Sequence, residues 1–257
     1  MHIVVPMKQT VDLVEELELN DEGTDVEREY LKFVANEWDE QALEEALLLK
    51  EATGASVTVV GLDEADVDQT LYAAVAKGAD RAVKLTGDFE GGITSHQRAS
   101  ILAQVVQGLD ADLVLIGVQS PEDLDGQTGV LLAGTLGLPH VSVAIGVEPH
   151  EGGIKVSQEF GAGVVHEIAV DGPAVIGIQA ARQAPRYVAI SRIRQAMQAG
   201  GLEERDAPEP AEEGSPLKVR RLFAPEVTSQ AEMLSGDAED VAERLAQLIA
   251  DRGLIKA

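Results

Sequence analysis

The feature that most constrains the fold of this chain is a set of four short apolar runs with little polar alternation. They are rich in Val, Leu and Ile and read HIVVPM (residues 2–7), SVTVVGL (56–62), RAVKLT (81–86) and DLVLIG (112–117). Runs of this kind are typical of strands that are covered on both faces, as in parallel sheets.

Amphipathic segments lie between these runs. Residues 39–54 and 67–79 have apolar side chains at helical spacing and end near glycines, and residues 95–109 place Ile101, Leu102 and Val105 on one face. Repeated βα units of this size predict right-handed crossovers. The chain is therefore expected to adopt an α/β fold with a doubly wound, mostly parallel sheet.

Two stretches depart from this rhythm. Residues 14–40 alternate about NDEG, which predicts a protruding hairpin. After Pro139 the chain reads as successive antiparallel strands up to Ile178, with the glycines of EGG and GAG in their turns.

The composition changes near Gly200, where the chain becomes acidic and poor in apolar residues. This predicts a domain over residues 1–199 and an extended arm over residues 200–257, ending in a helix at residues 236–253. Val241, Leu245, Leu248 and Ile249 form an apolar stripe on that helix, which is expected to pack either on its own domain or on a partner subunit.

The charge balance excludes some classes of partner. The chain has 45 acidic and 20 basic residues, a net charge of −25, so it is expected to repel nucleic acid and anionic membranes. Two interpretations stay open: adaptation to high intracellular salt, and an acidic surface for a basic partner. The apolar start is too short for a signal peptide, and no stretch approaches the roughly 20 apolar residues of a membrane span, which predicts a soluble cytoplasmic protein.

The residue types and their spacing predict neither a metal site nor a catalytic site. There is no cysteine, and the five histidines lack close ligand spacing, so neither a thiolate site nor a metal site is predicted. There is no GxSxG motif, and no pair of residues stands out as a catalytic acid and base.

The sequence EDLDGQTG (residues 122–129) follows the fourth apolar run. Gly126 and Gly129 permit close backbone approach, Gln127 and Thr128 offer side-chain hydrogen bonds, and the free N–H groups of a following helix suit a phosphate. The alternative is an ordinary helix start, with Asp123 or Asp125 as the N-cap and glycines that ease helix packing.

A basic stretch, residues 181–200, stands out in this acidic chain. It has four arginines and no acidic residue, with Ile190 and Ile193 among them. One interpretation is a surface loop and helix that balance neighbouring acids, and the other is a docking loop with an apolar anchor.

Five segments together resemble the β subunit of electron-transfer flavoprotein. They are HIVVPMKQTVD, KFVANEWDEQALEEALLLKE, TLYAAVAKGADRAVKL, DLVLIGVQSPEDLDGQTGVLLAGTLGLP and PAVIGIQAARQAPRYVAISRIRQA, in the family's order and spacing. The resemblance covers roughly residues 1–198, and its QTG and PRY segments are specific to the family.

The resemblance implies a fold similar to adenine-nucleotide hydrolase-like domains, a structural AMP in this chain, and an α subunit that holds the redox-active FAD. It implies no catalytic residue here. The positions that correspond to AMP contacts are Pro6, Asn36, Gly61, Gly117, Asp123, Gly126, Gln127, Thr128 and Gly129.

The basic stretch corresponds to the family's loop for acyl-CoA dehydrogenase-type flavoproteins, from which electrons pass toward a membrane quinone oxidoreductase. The docking residues implied in that loop, 182–198, are Arg186, Tyr187, Ile190, Ile193 and Arg194.

The chain departs from the family pattern at three places. Glu37 follows Asn36 where proline is usual. SPEDLD (residues 120–125) differs from the usual acidic loop, and ISRI (residues 190–193) replaces the usual LPNI. Electron-bifurcating relatives bind a second FAD here and read DGDTAQVGP; Thr128 in place of their valine favours AMP over FAD. A stand-alone adenine-nucleotide sensor on the same sheet is the third alternative.

Overall fold

The computed structural model describes residues 1–89, 92–123, 126–210, 219–225 and 233–254. In these residues the strands are β1 His2–Pro6, β2 Gln9–Val11, β3 Phe33–Ala35, β4 Ser56–Leu62, β5 Arg81–Thr86, β6 Leu113–Gly117, β7 His140–His150, β8 Gly153–Gly161, β9 Val164–Asp171, β10 Ala174–Ile178 and β11 Leu202–Asp206. The helices are α1 Glu37–Thr53, α2 Val67–Lys77, α3 Ser95–Gly108, α4 Thr128–Leu136, α5 Ile190–Ala199 and α6 Ala238–Asp251. None of them is long and apolar enough to cross a membrane.

Nine strands form one sheet in the order β11-β5-β4-β1-β6-β10-β7-β8-β9. The four apolar runs become β1, β4, β5 and β6, which pair in parallel as predicted. The central strand β1 explains why these runs do not alternate. Ile3 and Val5 enter a core shared with α1 and α2, whereas Val4 enters a second core shared with α3 and α4. The α/β fold with both faces covered is thus confirmed.

The predicted hairpin around NDEG is present. Leu19 and Val26 form an antiparallel bridge, and Gly23 adopts a φ of 66° in the turn between them. At the base of this hairpin, β2 and β3 form a short antiparallel ladder that pairs Gln9 with Ala35.

The stretch after Pro139 was only partly predicted. β7, β8 and β9 are antiparallel, as expected. The prediction was wrong for the last run, because β10 lies between β6 and β7 and pairs in parallel with both. Every residue of β10 is buried, which is the pattern of an inner strand of a parallel sheet, and its position next to the hairpins in the sequence concealed this.

The chain divides into two compact units, residues 1–220 and 221–257. The change in composition near Gly200 comes before that division. Residues 202–206, which follow it, form β11 and pair with β5 at the edge of the sheet, within the first unit. The helix predicted near the end of the chain is α6, whose N-terminus is capped by the Asp237 carboxylate. Part of the predicted arm, residues 211–218, 226–232 and 255–257, lies outside the described residues.

Candidate functional site

A cavity opens at the carboxyl ends of β1, β4 and β6, the edge at which open α/β sheets bind ligands. The cavity is partly open to solvent, and the space within it, including the open part, is about 370 Å³. Its walls include five of the residues singled out from the sequence: Pro6, Asn36, Gly117, Asp123 and Thr128. The apolar part of the wall includes Val60, Leu62, Leu102 and Ile116.

Asn36 stands at the start of α1 and contributes a buried polar side chain to this cavity. Its Nδ2 donates to the carbonyl oxygen of Gln119 at 3.0 Å, which connects α1 to the loop after β6. Its Oδ1 is buried and has no hydrogen-bond partner among the residues that the structure describes. A buried acceptor without a donor costs free energy, so this atom suits a ligand that brings an N–H or O–H group.

Asp39, one turn further along α1, connects two strands. Its Oδ2 accepts from the Lys8 backbone N–H at 3.0 Å, and its Oδ1 accepts from the Gly117 N–H at 3.2 Å. Burial raises the pKa of Asp39 to about 6, against the opposing effects of the Lys8 charge and these hydrogen bonds. Gly117 must be glycine here, because a Cβ would lie 2.8 Å from the Trp38 carbonyl carbon.

The EDLDGQTG loop brings together the starts of two helices. The Asp123 carboxylate accepts from the Ser95 hydroxyl at the start of α3 and, at 3.0 Å, from the Thr128 hydroxyl at the start of α4. Asp123 therefore does not act as the N-cap of α4: that position is Gln127, which makes no side-chain capping hydrogen bond. Asp125 lies outside the described residues. The first N–H groups of α4 have no intrahelical acceptor, as at any helix start, and suit an anion.

Three of the predicted glycines have distinct local roles. Gly126 has a φ of 62°, which favours glycine in this turn. At Gly129 a Cβ would lie 3.2 Å from Ile116, so its small size eases the packing of α4 on β6. At Gly61 a Cβ would meet Val67 at 2.7 Å, so this glycine admits α2, while its neighbours Val60 and Leu62 line the cavity.

Sequence reasoning missed the apolar residues of the wall and four polar or charged ones: Lys8, Asp39, Arg98 and Gln119. Lys8 follows the first strand at its carboxyl end, so the rule that predicted the loop after β6 applied to it as well. Burial and the Arg98 charge lower the pKa of Lys8. No local signal identifies Arg98, because it lies within a helix and its partner Glu64 follows a different strand.

The basic stretch is fixed on α1 by buried carboxylates. The Arg186 guanidinium donates to both oxygens of Glu44, and its Nη1 lies 2.7 Å from Glu51 Oε1. These carboxylates raise the pKa of Arg186. Arg182 makes a similar contact with Glu45, at 2.7 Å from Nε to Oε1. Arg186 thus anchors the stretch to α1.

The other predicted docking residues differ in exposure. Tyr187 is 87% exposed and Ile190, the first residue of α5, is 64% exposed. Arg194 is exposed too, whereas Ile193 is half-buried. The described residues contain no group of three His, Asp or Glu side chains placed to hold a metal ion.

Comparisons with known proteins place this architecture in a family. Residues 24–210 match the electron transfer flavoprotein domain. The chain is 33% identical to the electron transfer flavoprotein subunit beta of Methylophilus methylotrophus, over 97% of this chain and 98% of that one. The subunit of the same name from Bradyrhizobium diazoefficiens is 32% identical, over 76% of this chain and 78% of that one. The subunit from Clostridium acetobutylicum is 30% identical, over 94% of this chain and 95% of that one. The match extends over the sheet, the cavity loops and the basic stretch alike, and the chain belongs to the electron transfer flavoprotein β-subunit family.

Proposed function

We propose that this chain is the β subunit of a cytoplasmic electron carrier and that it pairs with an FAD-carrying α subunit. In this proposal it binds AMP in the cavity at the carboxyl ends of β1, β4 and β6. The observation that carries the nucleotide assignment is Asn36, a residue of the cavity wall whose buried Oδ1 has no hydrogen-bond partner among the described residues. An adenine nucleotide offers amino and hydroxyl donors to such an atom.

The chemistry of the cavity wall suits the parts of a mononucleotide. Val60, Leu62 and Leu102 provide an apolar surface for a base. The first N–H groups of α4, at Thr128 and Gly129, suit a phosphate. Thr128, which stands where the electron-bifurcating relatives have valine, favours AMP over the FAD of the bifurcating alternative.

In this proposal the chain supplies no redox group or catalytic residue. It holds the nucleotide, forms the heterodimer, and presents Tyr187 and Ile190 to acyl-CoA dehydrogenase-type flavoproteins, whose electrons pass toward a membrane quinone oxidoreductase. The exposure of these two side chains beside the anchored Arg186 supports the docking role, because an apolar or aromatic anchor on a rigid support is typical of interface hot spots.

The test is the nucleotide content of the protein co-expressed with its α subunit. After denaturation, chromatography and mass measurement should give one FAD and one AMP per heterodimer. In the Asn36→Leu variant the AMP should fall and the FAD should remain. Two FAD without AMP would instead indicate the bifurcating function, and a nucleotide bound by a chain that forms no heterodimer would indicate a sensor.

A further inference from the structure

We propose that Arg98 is the side chain by which this chain recognises the phosphate group of its nucleotide, and that Glu64 positions Arg98 for that contact. This inference rests on the proposed nucleotide site. It goes beyond it by assigning phosphate selectivity to a residue outside the EDLDGQTG loop.

Arg98 is a buried cation in the wall of the cavity. It lies in the first turns of α3 and is 8% exposed. Its Nη2 donates to Glu64 Oε1 at 2.9 Å, and its Nη1 lies 2.7 Å from Glu64 Oε2. This two-point contact fixes the plane of the guanidinium group. It uses two of the five N–H bonds and leaves three for another acceptor.

The fold directs Arg98 toward the start of α4. Ser95, three residues earlier on α3, donates to the Asp123 carboxylate, which also accepts from Thr128. The first turns of α3 and α4 are therefore adjacent. Residues three apart lie on the same face of a helix, so Arg98 shares the face of Ser95. The guanidinium group and the first N–H groups of α4 border the same cavity.

The charges around the cavity support an anionic ligand. Lys8 provides a second cation in the wall, close enough to Arg98 for the Arg98 charge to contribute to the lowered pKa of Lys8. The two carboxylates in the wall already accept hydrogen bonds within the protein: Asp39 from two backbone N–H groups, and Asp123 from two hydroxyls. In a chain with a net charge of −25, the buried Arg98 and the half-buried Lys8 beside a helix start form a local site for a phosphate.

The experiment compares AMP with adenosine, which differ only in the phosphate. Isothermal titration of the nucleotide-free heterodimer measures both dissociation constants for the unaltered protein, for Arg98→Met and for Arg81→Met. Arg81 is the matched control, because it pairs with Glu203 at the edge of the sheet and does not line the cavity. We expect Arg98→Met to weaken AMP binding at least tenfold and to leave adenosine binding unchanged, while Arg81→Met behaves like the unaltered protein.

Two results would overturn the role of Arg98. If Arg98→Met weakens the binding of AMP and of adenosine equally, Arg98 contacts the nucleoside and does not recognise the phosphate. If Arg98→Met binds AMP as tightly as the unaltered protein does, Arg98 does not contribute to binding. If the unaltered heterodimer binds neither compound, the nucleotide site itself is wrong and the role of Arg98 falls with it. Because Arg98→Met leaves the Glu64 carboxylate without its partner, the double variant Arg98→Met/Glu64→Gln tests the same loss without an uncompensated charge. It is expected to show the same loss of AMP selectivity.

Discussion

At the scale of single residues, the cavity depends on the contact between Gly117 and Asp39. The carboxylate accepts hydrogen bonds from the ends of β1 and β6, and the absence of a side chain at Gly117 lets the start of α1 approach β6. A short contact of backbone with backbone has no flexible side chain to move aside. Substitutions here are therefore expected to affect both stability and the nucleotide.

We expect Gly117→Ala to lower the free energy of unfolding by about 1–3 kcal/mol and to reduce the AMP that co-purifies with the protein. The new Cβ would stand 2.8 Å from the Asp39 backbone nitrogen, so α1 and Asp39 must shift. Urea unfolding and nucleotide extraction measure the two effects.

Gly134→Ala is the control for this substitution. Gly134 is exposed on α4, and a Cβ there meets nothing within 4 Å. Alanine is favoured over glycine inside a helix by up to about 1 kcal/mol, so this variant should be as stable as the unaltered protein or more stable. Equal effects of the two alanines would contradict the steric argument.

The raised pKa of Asp39 predicts how the free energy of unfolding depends on pH. Burial lets folded Asp39 keep its proton up to a pH of about 6, whereas unfolded Asp39 loses it near 3.8. Between these values unfolding releases a proton, so the contribution of Asp39 to stability falls as the pH rises, by about 3 kcal/mol across the window.

Comparison with Asp39→Asn isolates this effect, because all other groups titrate in both proteins. The free energy of unfolding of the unaltered protein minus that of the variant should decrease from pH 4.5 to pH 7. A difference that stays constant over this range would mean that folded Asp39 is ionised throughout.

At the scale of elements, α1 serves two sites along its length. Its first turn carries Asp39 in the cavity wall, and the next turns carry Glu44 and Glu45, which bind the segment that precedes α5. Glu45 is fully buried and also accepts from the backbone N–H of Val147 on β7. The helix thus fixes the basic stretch against the sheet.

Glu44→Ala should release that stretch. Arg186 would lose a two-point contact with a carboxylate that is 4% exposed, so we expect a loss of about 2 kcal/mol in the free energy of unfolding and faster amide hydrogen exchange over residues 181–199.

Glu51→Ala removes the other partner of the same arginine and is the matched control. Its carboxylate is 58% exposed, and a pair of this kind contributes about 1 kcal/mol or less. If both substitutions have the same small effect, the buried carboxylate is not what holds the segment.

At the scale of the whole molecule, the chain consists of two compact units. The sheet and both apolar cores lie in residues 1–220, whereas α6 belongs to the second unit, where Leu245 is about half exposed. The stripe on α6 suits a contact with the proposed α subunit.

We expect a chain that ends at Arg220 to keep its fold, because it retains every strand of the sheet and both cores. Its melting temperature should stay within a few degrees of that of the full chain, and its binding to the α subunit should weaken. Calorimetry and co-purification with a tagged α subunit measure these outcomes. A large drop in melting temperature would show that the second unit stabilises the first.

The sequence by itself determined the fold class and the place of the candidate site. Buried parallel strands are apolar on both faces, so β1, β4, β5 and β6 are visible as local patterns, and the loop after β6 follows from the rule that ligands bind at the carboxyl ends of such strands. Only the tertiary structure decided which side chains share the cavity and which ones hold the basic stretch on α1. The pairs Arg98–Glu64, Asp39–Gly117 and Arg186–Glu44 join residues that are distant in the chain, and no local pattern records them. The parallel pairing of β10 was hidden for the same reason, because a strand's neighbours are set by the order of the sheet rather than by the order of the sequence.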